Sequence, residues 1–507
     1  MAKIPFTVSA RAGKLLGREN FSNPEGAIIE LVKNSYDADA KNCLIFFDIQ
    51  SNDNSTNKKS LKREDTIYII DNGEGMTEDV IKELWMKIGT GSKEKDYLSD
   101  EKRVKTGAKG IGRFALDRLG FTTDMWTTSK KVKSNIGSHW KMDWNQFDNS
   151  DKSIAEIKAD LIQLEFNIKK QIKSIIKNDN VNEIIEKINF RSGTVLKISN
   201  LKDDWSDDGI NNVYKSLEAL IPPKEFKIPF DVTLIHLQQP KNFGSVETAF
   251  FNDYDYKVKA KYDSDTLTVD FEITRNELNH NKIKKNYEDL FNDAKKPYDL
   301  QTLNNRTFKY TKSIDKILKW NLEKNNIKLL NDVGSFELSF YYLKYSVSRK
   351  EGYPYKLINT KERRSVLDKF GGVKIYRDSF RVRPYGDPNN DWLRLGARVA
   401  QSPAGAGQRI GDWRVRPEQT AGMISISRKT NPFLKDKSDR GALQENESFE
   451  VFKKIIIGLI HEFEYDRSKI LNVFYKHIKK EKEKAKEQEI NERAKNWQMK
   501  LSRKGKI

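Results

Sequence analysis

Apolar and polar positions in the first part of the chain alternate in patterns that predict both helices and strands. Residues 24–40, PEGAIIELVKNSYDADA, open with Pro24 and continue with apolar residues at helical spacing, which predicts a helix. The apolar runs TIYIID and SGTVLKISNL predict strands. Residues 51–65 are polar and predict a loop. Residues 150–190 carry apolar positions at helical spacing and predict an amphipathic helical insertion.

Strand-like runs return in the second part of the chain at VTLIHL, LTVDFEI, FELSFYYL and VKIYRDSFRV. They predict a second α/β domain over residues 206–475, after a first domain over residues 1–205. QSPAGAGQRIGDW, near residues 401–413, predicts a glycine-rich loop. Lys and Glu alternate over residues 476–507 and predict a basic helical tail, either exposed or bound to a partner. The fold class expected from these elements is α+β.

Length and composition indicate a globular protein of several domains. At roughly 150 residues per domain, 507 residues correspond to about two to four domains. The chain has no apolar run near the ~20 residues of a membrane span, and its N-terminus lacks a secretion signal. Cys43 is the single cysteine, which excludes an intramolecular disulfide and a cysteine-rich metal site. Its apolar setting, CLIFFDI, predicts a buried strand residue, and we expect a cytoplasmic protein without a membrane partner.

The formal net charge of +19 favours a polyanionic partner, either nucleic acid or an acidic membrane surface. A solubilising, lysine-rich surface is an equally simple interpretation of the same charge. Composition therefore leaves a nucleic-acid partner open and indicates no sequence specificity.

Three acidic or amide side chains of the predicted first helix share one face. Glu30, Asn34 and Asp37 lie at positions i, i+4 and i+7. Two carboxylates and an amide on a core-facing stripe need polar partners or a ligand. The alternative is an ordinary solvated face.

A second motif, DNGEGM, follows an apolar strand. Asp71 at the strand end is placed to accept a hydrogen bond from an exocyclic amine. Gly73 and Gly75 allow close backbone approach and a positive φ. Many ordinary turns have the same DxGxG pattern, so the motif alone is weak.

A third motif comprises IGTGSK and the following TGAKGIGRFALDRLG. Gly107, Gly110 and Gly112 precede a helical pattern, which is typical of a phosphate cradle at a helix N-terminus. A Walker A sequence is absent, and no following ribose acid supports a dinucleotide fingerprint. Lys93 and Lys109 could add positive charge near phosphates or could be solvated surface lysines.

The four motifs ELVKNSYDADA, DNGEGM, TGAKGIGRFA and the late GT strand, in this order, resemble the GHKL ATPases. This superfamily includes gyrase, heat-shock chaperones, histidine kinases and MutL, and the resemblance covers residues 1–205. It implies a Bergerat-fold ATP-binding domain, a mixed sheet covered by helices, with ATP and Mg2+ as cofactors.

The resemblance also implies roles for individual residues. Glu30 corresponds to the acid that orients and deprotonates the attacking water, and Asn34 to the magnesium ligand. Asp37 corresponds to an acid that shapes the helix and the pocket. Asp71 corresponds to the residue that binds the adenine amine, supported through water by Thr194.

The other implied nucleotide-binding residues lie in the glycine turn and the lid: Gly73, Gly75, Met76, Lys93, Gly107, Lys109, Gly110, Ile111 and Gly112. Lys93 belongs to GTGSK, which looks like the GTIAK of the chaperones. The presence of Glu30 favours hydrolysis over phosphotransfer. With five histidines in the chain and no dimerisation-histidine helix upstream, a kinase is disfavoured.

The second domain resembles the chaperone middle domain at VKIYRDSFRVRPYG and at ISRKTNPFLKDKSDRGALQ. There the resemblance implies that Arg440 reaches the γ-phosphate, with Lys429 as a poorer candidate. A cation delivered from a second domain would stabilise the transition state. Gly441 departs from the acid of the chaperones, and Arg440 could instead pair near the following helix.

Three functions fit these motifs. The first is an ATP-operated clamp that forms an ATP-dependent homodimer and acts on DNA or RNA. The second is a chaperone-like protein whose partner is a client protein. The third is the ATPase subunit of a multi-protein system, such as defence against mobile DNA.

Overall fold

The computed structural model describes residues 8–16, 21, 23–49, 64–88, 98–101, 103–105, 112–132, 135–148, 152–220, 230–239, 243–246, 253–345, 352–387, 389–402, 413–437 and 442–504. The chain divides into two compact units. The first comprises Met1–Phe250 with Asp378–Phe380, and the second comprises Phe251–Arg377 with Arg381–Ile507. Helices and two mixed sheets form these units, which confirms the predicted α+β class.

The first sheet has the strand order β5-β4-β3-β6-β2-β1-β7. Its strands are β1 (Asn42–Asp48), β2 (Thr66–Asp71), β3 (Gly120–Thr128), β4 (Ile136–Asp143), β5 (Asp160–Glu165), β6 (Gly193–Leu201) and β7 (Asp231–His236). β1 pairs in parallel with β7, and the other neighbours are antiparallel. The predicted strands at residues 66–71 and 192–201 are confirmed, as is the buried position of Cys43 on β1.

Helices cover both faces of this sheet. They are α1 (Ala12–Leu16), α2 (Pro24–Asp37), α3 (Glu78–Val80), α4 (Ala115–Leu119), α5 (Ile168–Ile175), α6 (Asp179–Lys187) and α7 (Asp207–Leu220). A π-helical turn, Ile81–Trp85, continues α3, and 3-10 turns lie at Gly112–Phe114, Trp144–Asp148 and Ile154–Glu156.

The central strand β2 is apolar along its length because it faces two cores. Ile67 and Ile69 belong to the core that contains α2, α4 and α7. Tyr68 and Ile70 belong to the core under α5 and α6. Successive strand residues point to opposite faces, so a strand covered on both sides needs an apolar residue at every position.

The predicted helical insertion over residues 150–190 is wrong in its first half. Asp160–Glu165 form the edge strand β5, which pairs antiparallel with β4. Helices follow only after Asn167 and Asn178, whose side chains accept hydrogen bonds from the amides of Lys170 and Val181. A short apolar run fits a helix or a strand equally well, and here the free edge of β4 decides.

The assignment of VTLIHL to the second domain is also wrong. This run forms β7, which lies beside β1 in the first sheet, with Leu234 opposite Ile45. The preceding α7 packs on α2. The first unit therefore continues to Phe250, beyond the boundary expected near residue 205.

The second sheet has the order β10-β9-β8-β11-β14-β12-β13. Its strands are β8 (Tyr256–Asp263), β9 (Thr268–Arg275), β10 (Thr307–Ser313), β11 (Phe336–Tyr342), β12 (Gly372–Arg377), β13 (Phe380–Val382) and β14 (Thr420–Ile426). The strands predicted at LTVDFEI, FELSFYYL and VKIYRDSFRV are confirmed as β9, β11 and the pair β12 and β13.

The helices that follow β9 are α8 (His280–Asn286), α9 (Leu300–Asn305), α10 (Ile314–Leu318), α11 (Lys324–Val333), α12 (Thr360–Phe370), α13 (Leu395–Gln401) and α14 (Glu447–Lys504). Further 3-10 turns lie at Glu288–Phe291 and Pro417–Gln419. The polar loop at residues 51–65 and the glycine-rich loop near 401–413 lie mostly outside the described residues.

The helix α14 is 58 residues long and changes character along its length. Phe452, Ile456 and Phe463 are buried in the core of the second unit, whereas residues 479–499 are all exposed. The expected boundary near residue 475 therefore falls inside one continuous helix. Among the described residues, no helix is both long and apolar enough to cross a membrane.

Candidate functional site

The first motif lies on the helix α2, which is capped at its start and packed in the core. The side chain of Asn23 caps it by accepting a hydrogen bond from the amide of Gly26 at 2.8 Å, and Pro24 occupies the first turn. Ala27, Ile28 and Leu31 anchor the helix in the core of the first unit. The polar residues of this motif are therefore carried by a fixed backbone.

Glu30 and Asn34 on this helix meet the end of the glycine-rich motif at Gly112. Glu30 is buried, with 7% of its surface exposed, and Asn34 is partly buried. A Cβ atom on Gly112 would lie 3.2 Å from the Asn34 side-chain nitrogen and 3.6 Å from Cγ of Glu30. Glycine thus lets the start of the turn before α4 approach the carboxylate and the amide.

The charge of Glu30 is balanced locally by Lys33. The Lys33 Nζ lies 3.6 Å from the Glu30 carboxylate, one helical turn away. Asp37, the last residue of α2, is also buried.

Asp71 ends β2 as a buried carboxyl group held by two donors. The amide of Gly73 donates to Oδ1 at 2.9 Å, and the Ser35 hydroxyl donates to Oδ2 at 3.2 Å. Burial raises the pKa of Asp71 to about 6, and the two hydrogen bonds oppose that rise. Each carboxylate oxygen retains acceptor capacity for a further donor such as an amine.

The turn after Asp71 requires glycine at positions 73 and 75. A Cβ on Gly73 would lie 2.6 Å from the carbonyl oxygen of Ala38. Gly75 has a φ of +63°, and its Cβ would lie 1.9 Å from the carbonyl oxygen of Thr128. The turn therefore lies close against Ala38 at the end of α2 and Thr128 at the end of β3, beside Asp71.

Thr194 lies opposite Asp71 in the register of β6 and β2. Its hydroxyl is 3.1 Å from the hydroxyl of Thr127, which also accepts a hydrogen bond from the amide of Met76 at 2.9 Å. The structure thus brings Asp71, Met76 and Thr194 to the same end of the sheet.

Sequence reasoning missed Ser35 and Thr127. Both act through partners distant in the chain, so spacing alone gave no signal for them. Ser35 does lie within the first motif, and its helical spacing from the apolar Leu31, four residues earlier, was the available sequence signal.

A further group of residues was not predicted. Residues 98–101 and 103–104 form the two sides of a small hairpin, closed by a bridge between Leu98 and Val104, with the amide of Ser99 donating to the carbonyl of Arg103 at 2.8 Å. In sequence this hairpin separates Lys93 from Gly107.

Asp39 and Arg103 attach this hairpin to the end of α2. Asp39 accepts hydrogen bonds from the Ser99 hydroxyl at 2.6 Å and from the amide of Glu101 at 2.9 Å. The buried guanidinium of Arg103 donates to the carbonyl oxygens of Tyr36 and Ala40 at 3.2 and 2.8 Å. Cations at a helix C-terminus satisfy its orphan carbonyls and are favoured by the helix dipole.

Several predicted site residues lie outside the described part of the chain: Lys93, Gly107, Lys109, Gly110, Ile111 and Arg440.

The residues present fit a magnesium ion bound mainly by nucleotide. No cluster of three or more His, Cys, Asp or Glu side chains suited to a metal occurs among the described residues. Mg2+ commonly keeps several waters and takes one or two protein ligands together with substrate phosphates. The side-chain amide oxygen of Asn34, which lies near Gly112, suits such a site with few protein ligands.

Comparison with known proteins agrees with this geometry. Residues 22–179 match a family model described as histidine kinase-, DNA gyrase B- and HSP90-like ATPase. The match includes α2, β2 and the glycine turn, whereas Thr194 lies beyond it. No curated protein matches the chain. Residues 22–179 therefore carry a domain of the GHKL ATPase type.

Proposed function

We propose that the first unit binds ATP with Mg2+ and hydrolyses it, with Glu30 as general base. The observation that carries this proposal is the meeting of Glu30, Asn34 and Gly112 in one place. Phosphate hydrolysis needs a base, a metal ion and contacts to the phosphates. The buried carboxylate of Glu30, the side-chain amide of Asn34 and the backbone at Gly112 are suited to these three roles.

Asp71 is proposed to bind the adenine. Its carboxylate is fixed by Gly73 and Ser35, so the side chain does not need to reorganise when the exocyclic amine of the base donates to it. Gly73 and Gly75 carry no side chains, so the backbone at these two positions can approach the base closely.

The phosphate end of the site is proposed to lie at Asn34 and Gly112. Asn34 would hold Mg2+ together with phosphate oxygens, and the ion supplies charge neutralisation when bound. Glu30 accepts a proton from water as the water oxygen bonds to the γ-phosphorus. The bond from that phosphorus to the β,γ-bridging oxygen breaks, and ADP and phosphate are released.

ATP binding is tested by calorimetric titration of the full chain with ATP and Mg2+. Asp71→Asn should weaken affinity by about tenfold or more, because the base loses a charged acceptor. Asp160→Asn, an exposed aspartate on β5, is the matched control and should bind as the unmodified protein does. Equal affinities for the two variants would refute the adenine site.

We also propose that ATP drives formation of a homodimer, a common property of this superfamily. Sedimentation with and without a nonhydrolysable ATP analogue tests it. A doubled mass only with the analogue supports the proposal, and an unchanged mass refutes it.

A further inference from the structure

The second unit contains a cleft of about 950 Å3 that the ATP site does not use. One wall is the edge strand β10, and the opposite wall is the middle of α14. The helix α10 and the segment around Tyr298 complete the lining. A cavity of this size is within the range of ligand-binding sites.

The cleft is strongly basic. Six cationic side chains and two carboxylates line it, an excess of four positive charges. The lysines Lys296, Lys316 and Lys319 are exposed to solvent, so their ammonium groups are accessible to a ligand. Burial lowers the pKa of His461 in the lining, and the neighbouring Arg414 and Arg398 lower it further.

The two carboxylates of the lining are already engaged by the protein. Asp466 is held by two hydrogen bonds from the buried Arg275, at 2.9 and 2.6 Å. Glu462 pairs with Lys312 at 2.7 Å and accepts a hydrogen bond from the Tyr310 hydroxyl at 3.3 Å. They therefore do little to repel an incoming anion. Lys309 and Arg414 of the lining are paired in the same way, with Glu272 and Glu464. The basic character of the cleft thus rests on the exposed Lys296, Lys316 and Lys319.

Aromatic rings form much of the remaining surface. Phe308 and Tyr310 stack at 5.6 Å, and Tyr310 stacks in turn on Phe271 at 4.8 Å, which makes a rigid wall. Tyr465 lines the cleft from α14, and 40% of it is exposed. The Lys469 ammonium lies over this ring, 5.9 Å from its centroid, and the exposed part of the ring offers a stacking surface for a flat group.

We propose that this cleft binds a short stretch of single-stranded nucleic acid, with phosphates at Lys316 and Lys319 and a base against Tyr465. Basic grooves with accessible aromatic rings bind single strands, because the unpaired bases can stack. A duplex hides the faces of its bases, and an acidic peptide need not offer flat rings. The net charge of +19 on the whole chain favours a polyanion of this kind.

Fluorescence anisotropy of the full chain with labelled single-stranded DNA and RNA, without ATP, tests the proposal. Lys316→Glu combined with Lys319→Glu should weaken binding at least about tenfold. The slope of log affinity against log salt should become shallower by about 1.4, since each lost phosphate contact contributes about 0.7. Tyr465→Ala should weaken binding without changing that slope.

The matched control is Lys361→Glu combined with Lys369→Glu, which makes the same charge change on exposed positions of α12. That helix packs on β14, four strands from β10 and thus roughly 19 Å away across the sheet. At about 0.1 M salt the control should bind within about twofold of the unmodified protein, because that separation exceeds the Debye length of about 10 Å.

Four outcomes would overturn the proposal. They are no binding at low salt, unchanged binding by the cleft variant, equal weakening by both charge variants, and binding of a duplex as tight as that of a single strand. Because the titration contains no ATP, none of these outcomes depends on the proposed hydrolysis.

Discussion

At the scale of single residues, the ionisation of Asp71 links the stability of the fold to the proposed binding of adenine. Its folded pKa of about 6 lies above the ordinary value of 3.8. The folded state therefore binds this proton more tightly than the unfolded state, and stability falls as pH rises from about 4 to about 6. Above that range the ionised carboxylate costs roughly 3 kcal/mol. An adenine amine that donates to the carboxylate offsets part of this cost.

The affinity for ATP should consequently fall as the pH drops through about 6, where Asp71 becomes protonated. Between about pH 7 and about pH 5 we expect roughly a tenfold loss from this group alone. Calorimetric titration at a series of pH values measures it. Asp71→Asn is the control, because the phosphates of ATP titrate identically with both proteins. Identical pH profiles for the two proteins would contradict the assignment.

The residues of the proposed site that the sequence motifs suggest are those that lie close together in the chain. Glu30 and Asn34 share one helix, and Asp71, Gly73 and Gly75 share one turn. Ser35, Thr127, Asp39 and Arg103 escaped prediction because their partners lie far away in the chain. The Ser35–Asp71 and Arg103–Tyr36 hydrogen bonds, for example, span 36 and 67 residues. Only the fold brings such residues together.

At the scale of elements, the hairpin formed by residues 98–101 and 103–104 is fixed to the end of α2 by Asp39 and Arg103. It joins the segment containing Lys93 to the segment containing Gly107. Both segments are implied phosphate-binding regions, so the hairpin is suited to position them relative to Glu30 and Asn34.

Asp39→Ala should therefore weaken ATP binding by about tenfold while leaving adenosine binding nearly unchanged, because the loss of roughly 1.4 kcal/mol falls on the phosphates. Titration with each ligand measures the difference. Asp203→Ala, which removes the partner of Arg118 elsewhere in the first unit, is a control. An equal loss for ATP and adenosine would show that Asp39 only maintains the fold.

The elements that sequence predicted well are the strongly patterned ones. α2 has a capping residue, a proline and helical spacing, and β2 is an unbroken apolar run. β5 was mistaken for helix because its six residues are mostly exposed and their pairing with β4 is a tertiary effect. The assignment of β7 failed for a related reason, since only its parallel pairing with β1 shows which sheet it joins.

At the scale of the whole molecule, two units each have their own sheet and core. The last part of α14 contributes to neither core, since residues 479–499 are exposed. Burial of apolar surface is the main stabilising contribution to folding, so this part of the helix adds little stability.

Removal of residues 480–507 should leave the midpoint of thermal unfolding unchanged within about 2 °C, because it should change the free energy of unfolding by less than about 0.5 kcal/mol. Circular dichroism should show a smaller helical signal. Removal of residues 471–507 is the comparison, since it also deletes the buried Leu471 and Phe474 and should lower the midpoint by several degrees. A large loss from the shorter deletion would show that the exposed end of α14 has a structural partner.

The central claim is that Glu30 is the base of an ATP-hydrolysing site, and Glu30→Gln tests it most directly. The variant retains the shape of the side chain and loses the proton acceptor. Turnover and ATP affinity should be measured on the same preparation. We expect turnover to fall by about 10²- to 10⁴-fold and the affinity to stay within about twofold. Unchanged turnover would contradict the assignment of Glu30.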